Sequence, residues 1–368
     1  MKISVPTETA PREQRVALAP DSVSRLIKQL KVEVAVQRGA GLRAGFRDEA
    51  YQAVGATLVD DGAAFSGADV VAKVQPPSAE EIARIDSGAT LISLLRPGHS
   101  ADTSAALAQR QVTALALELV PRITRAQSMD VLSSQSTVAG YKAVLVGAST
   151  SGKFLPMLTT AAGNISPAKV FVIGAGVAGL QAIATARRLG GVVSAFDVRP
   201  AAREQVQSLG ATFVANELVS ESAEAAGGYA RAQTSDEQAR TLAAIANHIK
   251  DQDLVVTTAQ IPGKTAPILI TEEMVLSMRA GSVIVDLAAE TGGNCALSKP
   301  GEVVEVHDVT IIAPLNVAST VAFHASQMFG RNIFELLKHL VKDGALVLDP
   351  NDEITGAMMM THQGKVLR

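Results

Sequence analysis

A chain of 368 residues that is 47% apolar and 19% charged is long enough for two globular domains of ordinary size. Its net charge of −3 gives no footprint for nucleic acid or an anionic membrane, and its single cysteine, Cys295, excludes a disulfide framework and suits a reducing cytosol. No apolar run reaches the roughly 18 residues of a membrane span, and Met1–Pro6 reads as a first strand, not a signal peptide.

In chain order, Ile3–Val5 predicts a strand, followed by a helix capped by Asp21 with Val23, Leu26, Ile27 and Leu30 on one face. Strands are expected at Val32–Val36, Thr57–Val59, Asp69–Val74, Thr90–Leu95 and Val112–Glu118, with helical segments near 48–54, 79–85 and 101–110. Trp is absent and aromatics are 3% of the chain, so Ala, Val, Leu and Ile must build the core, as buried parallel strands allow. This alternation predicts an open parallel α/β domain without a phosphate-binding glycine turn. Residues 121–168 break the pattern. Gln135–Val146 reads as helix, and Gly147–Pro167, rich in Gly, Ser, Thr and Pro, as a linker or dimer arm. Gly147–Lys153 is no phosphate loop, because Phe154 follows the lysine where Ser or Thr is needed.

A second α/β domain is expected from 169 to about 313. The run Val170–Ile173 enters Gly174, Gly176 and Gly179, spaced G-x-G-x-x-G, and a helical pattern follows. The next strand, Val192–Phe196, ends on Asp197, at about the 20-residue offset of a dinucleotide-binding fingerprint. Gly174 permits the tight turn, Gly176 the approach of a pyrophosphate, and Gly179 close helix–strand packing, with the helix N-terminus facing the phosphates. Asp197 can accept hydrogen bonds from an adenosine ribose, and a 2′-phosphate would meet a like charge there, so NAD(H) is expected over NADP(H). The competing reading is a glycine turn used only for packing, with Asp197 a solvated strand end.

Further strands are expected at Thr212–Val214, Leu254–Thr257, Ser282–Asp286, Val303–Val306 and Thr310–Ile312. Asn216–Gln238 is long for an α/β connection, as lids and disordered segments are. Asp286–Glu290 with Gly292–Asn294 either lines the nicotinamide side of a cofactor or simply turns the chain. Ser319–Leu340 reads as one long helix, with Phe323, Met328, Phe334 and Leu337 among its apolar positions, that returns the chain to the first domain. The tail, Asp349–Arg368, carries Met358–Met360 and reads as an edge strand or packing segment. The fold class expected is α/β, with two Rossmann-like doubly wound parallel-sheet domains and a cleft between them. Residues 1–134 plus 320–368 form the first, and 135–319 the dinucleotide-binding domain.

The segment Pro121–Gln135 leaves the last strand of the first domain and offers Arg122, Arg125, Gln127, Asp130 and Ser133. An Arg and an Asp in one loop can brace it, and Gln can hydrogen-bond a carboxamide or a ribose. On composition alone, a solvated polar loop is an equal reading.

The chain resembles the soluble NAD(H)-binding subunits of proton-translocating nicotinamide nucleotide transhydrogenases, in the alanine dehydrogenase/transhydrogenase family. The matching words span nearly the whole length: Val5–Glu8, Glu13–Leu18, Arg122–Asp130, Ala161–Gly163, Gly174–Gly179, Gly227–Tyr229, Ile261–Lys264 and Gly292–Asn294. The resemblance implies that Arg122, Gln127, Asp130 and Ser133 face the nicotinamide. Gln127 would bridge toward NADP(H) on a separate component, and Ser133 would help fix the carboxamide. It implies cofactor contacts from Arg125, Gly174, Gly176, Val177, Gly179, Asp197, Val198, Arg199, Gly228, Tyr229, Ala259 and Gln260, with Tyr229 on a loop that closes over bound NAD(H). It also implies a homodimer on the cytoplasmic face of the inner membrane, docked on membrane subunits that carry the NADP(H) site and the proton channel. The chain itself would make no membrane insertion and contact no nucleic acid.

Alanine dehydrogenases share the Pro-Thr-Glu…Arg-Val-Ala opening, including Arg15. That family handles protons with a Lys two residues beyond the position of Lys73 and with a His at a later strand end. Here those positions hold Gln75 and Arg96, neither of which cycles a proton near neutral pH. Arg15 either grips a substrate carboxylate or survives as a structural ion pair. The six histidines show no metal-ligand spacing with one another or with Cys295. An amino-acid dehydrogenase and an NAD(H)-sensing module remain the alternatives.

Overall fold

The computed structural model describes residues 1–218, 231, 233–261 and 264–368. They form two compact units, Met1–Gln135 with Ala318–Arg368, and Ser136–Val317.

The first unit is built on an eight-stranded sheet. From one edge its strands are Lys365–Val366, Met359–His362, Thr113–Ala116, Thr90–Ser93, Val70–Ala72, Lys2–Val5, Glu33–Gln37 and Thr57–Val59. The last six are parallel to their neighbours; Met359–His362 joins antiparallel. Because Val70–Ala72, Thr90–Ser93 and Thr113–Ala116 are buried at every position, they carry continuous small and aliphatic runs and no alternation. The chain order reverses between Lys2–Val5 and Val70–Ala72, which makes the carboxyl ends of these two strands the switch point where open α/β sheets take ligands. The tail supplies the expected edge: Met358, Met359 and Met360 are buried, and the strand Met359–His362 extends the sheet.

Two local expectations for this unit change. Asp21 does not cap its helix. Pro20 takes the first helical position, Ala19 is the N-cap with no side-chain bond, and Asp21 pairs instead with Arg331 at 3.2 Å. The long helix is Ala322–Leu340, entered by a 3₁₀ turn at Val317–Val321. It buries Phe329, Ile333, Phe334, Leu336 and Leu337, while Phe323 lies on its exposed side and stacks on Phe46 at 4.6 Å.

The second unit carries a seven-stranded sheet in the order Thr212–Phe213, Val192–Phe196, Lys169–Ile173, Leu254–Thr257, Val283–Asp286, Val309–Ile312 and Val303–Val306. Only the last strand is antiparallel. Its switch point lies between Lys169–Ile173 and Leu254–Thr257. Residues 147–167 are not all linker. Helix Val131–Thr150 runs to Thr150, and an exposed hairpin pairs Leu158–Thr160 with Gly163–Ile165. The connection Asn216–Gln238 is shorter than it reads. Asn216–Leu218 is a 3₁₀ turn, and Thr234 with Glu237 forms a capping box that starts helix Ser235–Ile249; the residues 219–230, and with them Gly228 and Tyr229, lie outside the described residues.

Helix Val131–Thr150 approaches the helix Val177–Arg188 through a glycine. A Cβ on Gly140 would stand 2.0 Å from the Ala178 carbonyl oxygen, whereas one on Gly152 would meet nothing. Gly140→Ala must therefore push the helices apart, an overpacking cost of about 1–3 kcal/mol or more. Thermal unfolding should show a midpoint lowered by several degrees for Gly140→Ala and unchanged for Gly152→Ala; equal midpoints would remove this contact from the packing account.

Candidate functional site

The glycine turn of the second unit sits at that unit's switch point, and each glycine answers to a different neighbour. Gly174 has φ +93°, and a Cβ there would press Thr258 Oγ1 at 2.8 Å. Gly179 tolerates no side chain at all, since its Cβ would lie 1.8 Å from the Gly174 carbonyl oxygen. Over Gly176 the space is open, with the Arg199 guanidinium, 4.0 Å away, as the nearest group. Thr258 Oγ1 donates to Gly174 O at 3.0 Å and so ties the turn to the strand across the switch point. Gly176 is the N-cap of Val177–Arg188 without a side-chain cap, which leaves first-turn N–H groups and the positive helix end for an anion. Val177, at the first helical position, is exposed. These features fit a dinucleotide pyrophosphate: backbone donors, no Cβ over the approach, and an apolar flank.

Asp197 is 7% exposed and is not a solvated strand end. Its Oδ2 accepts from Ala175 N at 2.7 Å, so the acid braces the glycine turn. It also accepts from Arg199, through Nε at 2.9 Å, Nη2 at 2.8 Å and the backbone N at 2.9 Å. The like-charge argument against a 2′-phosphate thus changes form: the carboxylate already holds the neighbouring guanidinium, which is where such a phosphate would otherwise pair. Val198 lies between these two residues, half-buried.

Ala259 and Gln260 follow the strand Leu254–Thr257. Ala259 is held by a side chain acting as a strand partner: Asn294 Oδ1 accepts from Ala259 N at 3.0 Å, and Asn294 Nδ2 donates to Ala259 O at 2.8 Å and to Pro267 O at 2.8 Å. Asn294 is itself placed by Asp286. That fully buried carboxylate accepts from Thr257 Oγ1, Ala288 N, Asn294 N, Cys295 N and Ser298 Oγ at 2.7–3.0 Å. Of the two readings for Asp286–Asn294, turning the chain is the one their side chains serve. Lys153, which ended the phosphate-loop-like stretch, pairs with Asp253, whose other oxygen accepts from Lys169 N at 2.8 Å.

In the first unit, the switch point is filled by a buried ionic network. Glu13 takes Arg15 in a two-pronged pair, Nε at 2.8 Å and Nη2 at 2.7 Å, and Arg15 Nη1 donates to Gln135 Oε1 at 2.9 Å. Arg15 is therefore a structural ion pair in this fold. Lys73 is enclosed by Glu8 at 3.4 Å and Glu81 at 3.2 Å, with all three side chains buried. Burial pushes the Glu8 carboxyl up, against the pull of Lys73 and of the Val74 and Gln75 N–H groups. Gln75 and Arg96, the two positions weighed in the sequence, meet here. Gln75 donates to Glu13 Oε2 at 2.8 Å, and Arg96 reaches Gln75 Oε1 at 3.4 Å. An amide and a guanidinium stand together where a proton-cycling pair would be.

The loop Pro121–Gln135 continues from this sheet. Thr124–Met129 is a 3₁₀ helix that buries Ala126 and Met129 and presents Arg125 and Gln127 outward; Arg122 is exposed as well. Asp130 accepts from Ser133 N at 2.9 Å and Ser133 Oγ at 2.6 Å, which makes the pair the opening of helix Val131–Thr150. Arg125 pairs with Glu353 at 3.0 Å, on the tail helix Glu353–Met358. Sequence reasoning missed Thr258 and Asn332, which hold these loops; the hydroxyl directly after a strand was the one local signal for Thr258. Among the described residues no cluster of His, Cys, Asp and Glu could hold a metal, and no helix is long and apolar enough to cross a membrane.

Residues 4–139 match the family model of the alanine dehydrogenase/PNT N-terminal domain, and residues 143–368 that of the C-terminal domain. The chain is 47% identical over 376 aligned residues to an NAD(P) transhydrogenase subunit alpha polypeptide of Rhodospirillum rubrum, covering 100% of this chain and 98% of the relative. It is 34% identical over 302 residues to alanine dehydrogenase of Bacillus subtilis, covering 80% of this chain and 72% of the relative. Among solved structures, the transhydrogenase from Sinorhizobium meliloti matches with a TM-score of 0.91 and 46% identity over the whole of both chains.

Asp286 gives a direct test of how the loop after its strand is held. Asp286→Asn turns an all-acceptor group into one that points N–H donors at N–H donors, a loss of about 1–3 kcal/mol or more. A lowered thermal midpoint and faster amide exchange at 288–298 are expected; a wild-type exchange pattern would show that the carboxylate does not organise this loop.

Proposed function

The chain belongs to the alanine dehydrogenase/PNT family, and within it we propose that it works as the dinucleotide-binding component of an NAD(P) transhydrogenase, catalytic together with partner subunits. The observation that carries this reading over an amino-acid dehydrogenase is the Gln75–Arg96 contact, with Lys73 locked between two carboxylates. Reducing an imine requires a group that gives up and regains a proton near neutral pH. Hydride passage from a dihydropyridine to a pyridinium changes no heavy-atom protonation, and needs only the two rings held face to face at about 3–3.5 Å away from water.

Residues of the second unit would bind the dinucleotide: the open backbone at Gly176 and the uncapped helix start for the pyrophosphate, Val177 against an apolar face, and Asp197 with Val198 and Arg199 for the adenosine ribose. We assign NAD(H) here. Ribose hydroxyls can donate to Asp197 alongside Arg199, whereas a 2′-phosphate must take Arg199 away from Asp197. Ala259 and Gln260, on the loop braced by Asn294, would flank the nicotinamide end. In the first unit, Arg122, Arg125, Gln127, Asp130 and Ser133 would orient the ring and its carboxamide by hydrogen bonding alone, with Gln127 reaching toward NADP(H) on the partner.

The partners in this reading are membrane subunits that carry the NADP(H) site and couple hydride transfer to proton translocation, so the chain would sit peripherally on the cytoplasmic face of the membrane. A second copy of the chain completes the soluble part. The exposed hairpin 158–165, flanked by the exposed side chains Phe154, Met157 and Ile165, suits such self-association.

Two measurements check this reading. The purified chain should bind NADH far more tightly than NADPH and should not reduce NAD⁺ with alanine; comparable affinities would overturn the Asp197 assignment, and robust alanine oxidation the transhydrogenase reading. Addition of the NADP(H)-carrying subunits should elicit transfer from NADH to NADP⁺, and Gln127→Asn should slow that transfer more than it weakens NADH binding. Equal losses in both would reduce Gln127 to simple cofactor binding.

A further inference from the structure

The residues assigned above to the nicotinamide lie on two adjoining pieces of chain, the 3₁₀ turn Thr124–Met129 with Gln127 and the helix start with Asp130 and Ser133. One side chain from a distant part of the sequence joins these pieces. Asn332, on helix Ala322–Leu340, is 8% exposed. Its Nδ2 donates to the Ser128 carbonyl oxygen at 2.7 Å, immediately after Gln127. Its Oδ1 accepts from Ser134 Oγ at 2.7 Å, immediately after Ser133. The helix start is anchored further by Gln135, whose Nε2 donates to Ala325 O at 3.1 Å while its Oε1 accepts from Arg15.

From this arrangement we propose that Asn332 is a positioning residue for hydride transfer, setting the distance between Gln127 and the Asp130–Ser133 pair; the proposal rests on the transhydrogenase reading. The requirement is chemical and geometric. One side needs a donor and the other an acceptor, at a span that fits the amide. Aspartate would turn the donor into a second acceptor facing a carbonyl, and leucine would keep the volume while removing the donor to Ser128 O and leaving Ser134 Oγ with only its local partners Val131 O and Gln135. Ala126 and Met129 hold the turn to the core by packing, which fixes its depth, and Asn332 fixes its position along the helix. Because near-attack geometry is lost over fractions of an ångström, a loosened turn slows transfer without removing any contact to the dinucleotide's pyrophosphate or adenosine.

The test uses the full chain with its NADP(H)-carrying subunits and three variants, Asn332→Asp, Asn332→Leu and Gln127→Asn. Expected are an NADH dissociation constant within about 3-fold of wild type and transfer about 10-fold or more slower for both Asn332 variants. Amide exchange over 124–134, measured on the chain alone, should rise in both variants, while thermal midpoints confirm that they fold. Adding Asn332→Asp to Gln127→Asn should slow transfer little further, because both act through the same side chain. Unchanged exchange over 124–134, wild-type transfer rates, parallel losses of NADH affinity and rate, or full additivity with Gln127→Asn would each overturn the assignment. A wild-type complex without any NADH-to-NADP⁺ transfer would instead sink the functional reading, and the exchange result would still stand or fall separately.

Discussion

The dinucleotide end of the second unit depends on one carbonyl. Gly174 O lies where a side chain at Gly179 would have to be and accepts the Thr258 hydroxyl from the neighbouring strand. That contact sets how closely helix Val177–Arg188 comes to its sheet, and hence how directly its N-terminus faces the space over Gly176. The acid at the end of the next strand then closes the turn from the other side, by accepting from Ala175 N. Backbone groups thus build the phosphate-facing surface, and side chains only hold the backbone in place. Such a site costs little reorganisation on binding, because its donors are already fixed and no cap has to be displaced.

The first unit solves a different problem at its own switch point. Glu8, Glu13, Arg15, Lys73 and Glu81 are buried with partners on all of them. Buried ions without partners are strongly destabilising, so this network cannot be rearranged piecemeal for catalysis. The residues adjoining it, Gln75 and Arg96, present an amide and a guanidinium. At these two positions the end of the sheet offers hydrogen-bond donors and acceptors, Gln75 to Glu13 and Arg96 to Gln75.

Much of this was legible in the sequence wherever the determinant is local. The glycine spacing, the terminal Asp197 and the buried strand runs all act within a few residues, and Gly174 and Gly179 make the tight turn and the close approach that their positions implied. Legibility failed where a partner arrives from far along the chain. Asp21 was expected to cap its helix, yet Pro20 already occupies the first helical position and Arg331 takes the carboxylate. Asp197 could be read as a ribose acceptor, but not as the partner of Ala175 N. Asn332 carries no periodicity and no motif, and Asp286 and Asn294, although the stretch that holds them stood out, take bracing roles that exist only once strands and helices remote in sequence are adjacent. One miss was avoidable: Thr234 and Glu237 spell a capping box inside what read as a long loop.

The same distinction explains why the loop Pro121–Gln135 could be suspected but not interpreted. Its polar residues are compatible with solvent, and nothing in their spacing says otherwise. What separates a solvated loop from an organised one is whether its backbone is held from outside. Here Ala126 and Met129 insert into the core, Asp130 and Ser133 satisfy each other at the helix start, and Asn332 joins the two halves. Gln127 projects from a segment whose neighbours on both sides are fixed, although Gln127 itself is exposed. A long, flexible amide on a rigid mount suits alignment of a ring by hydrogen bonds. On a mobile loop the same amide would lose the advantage of position.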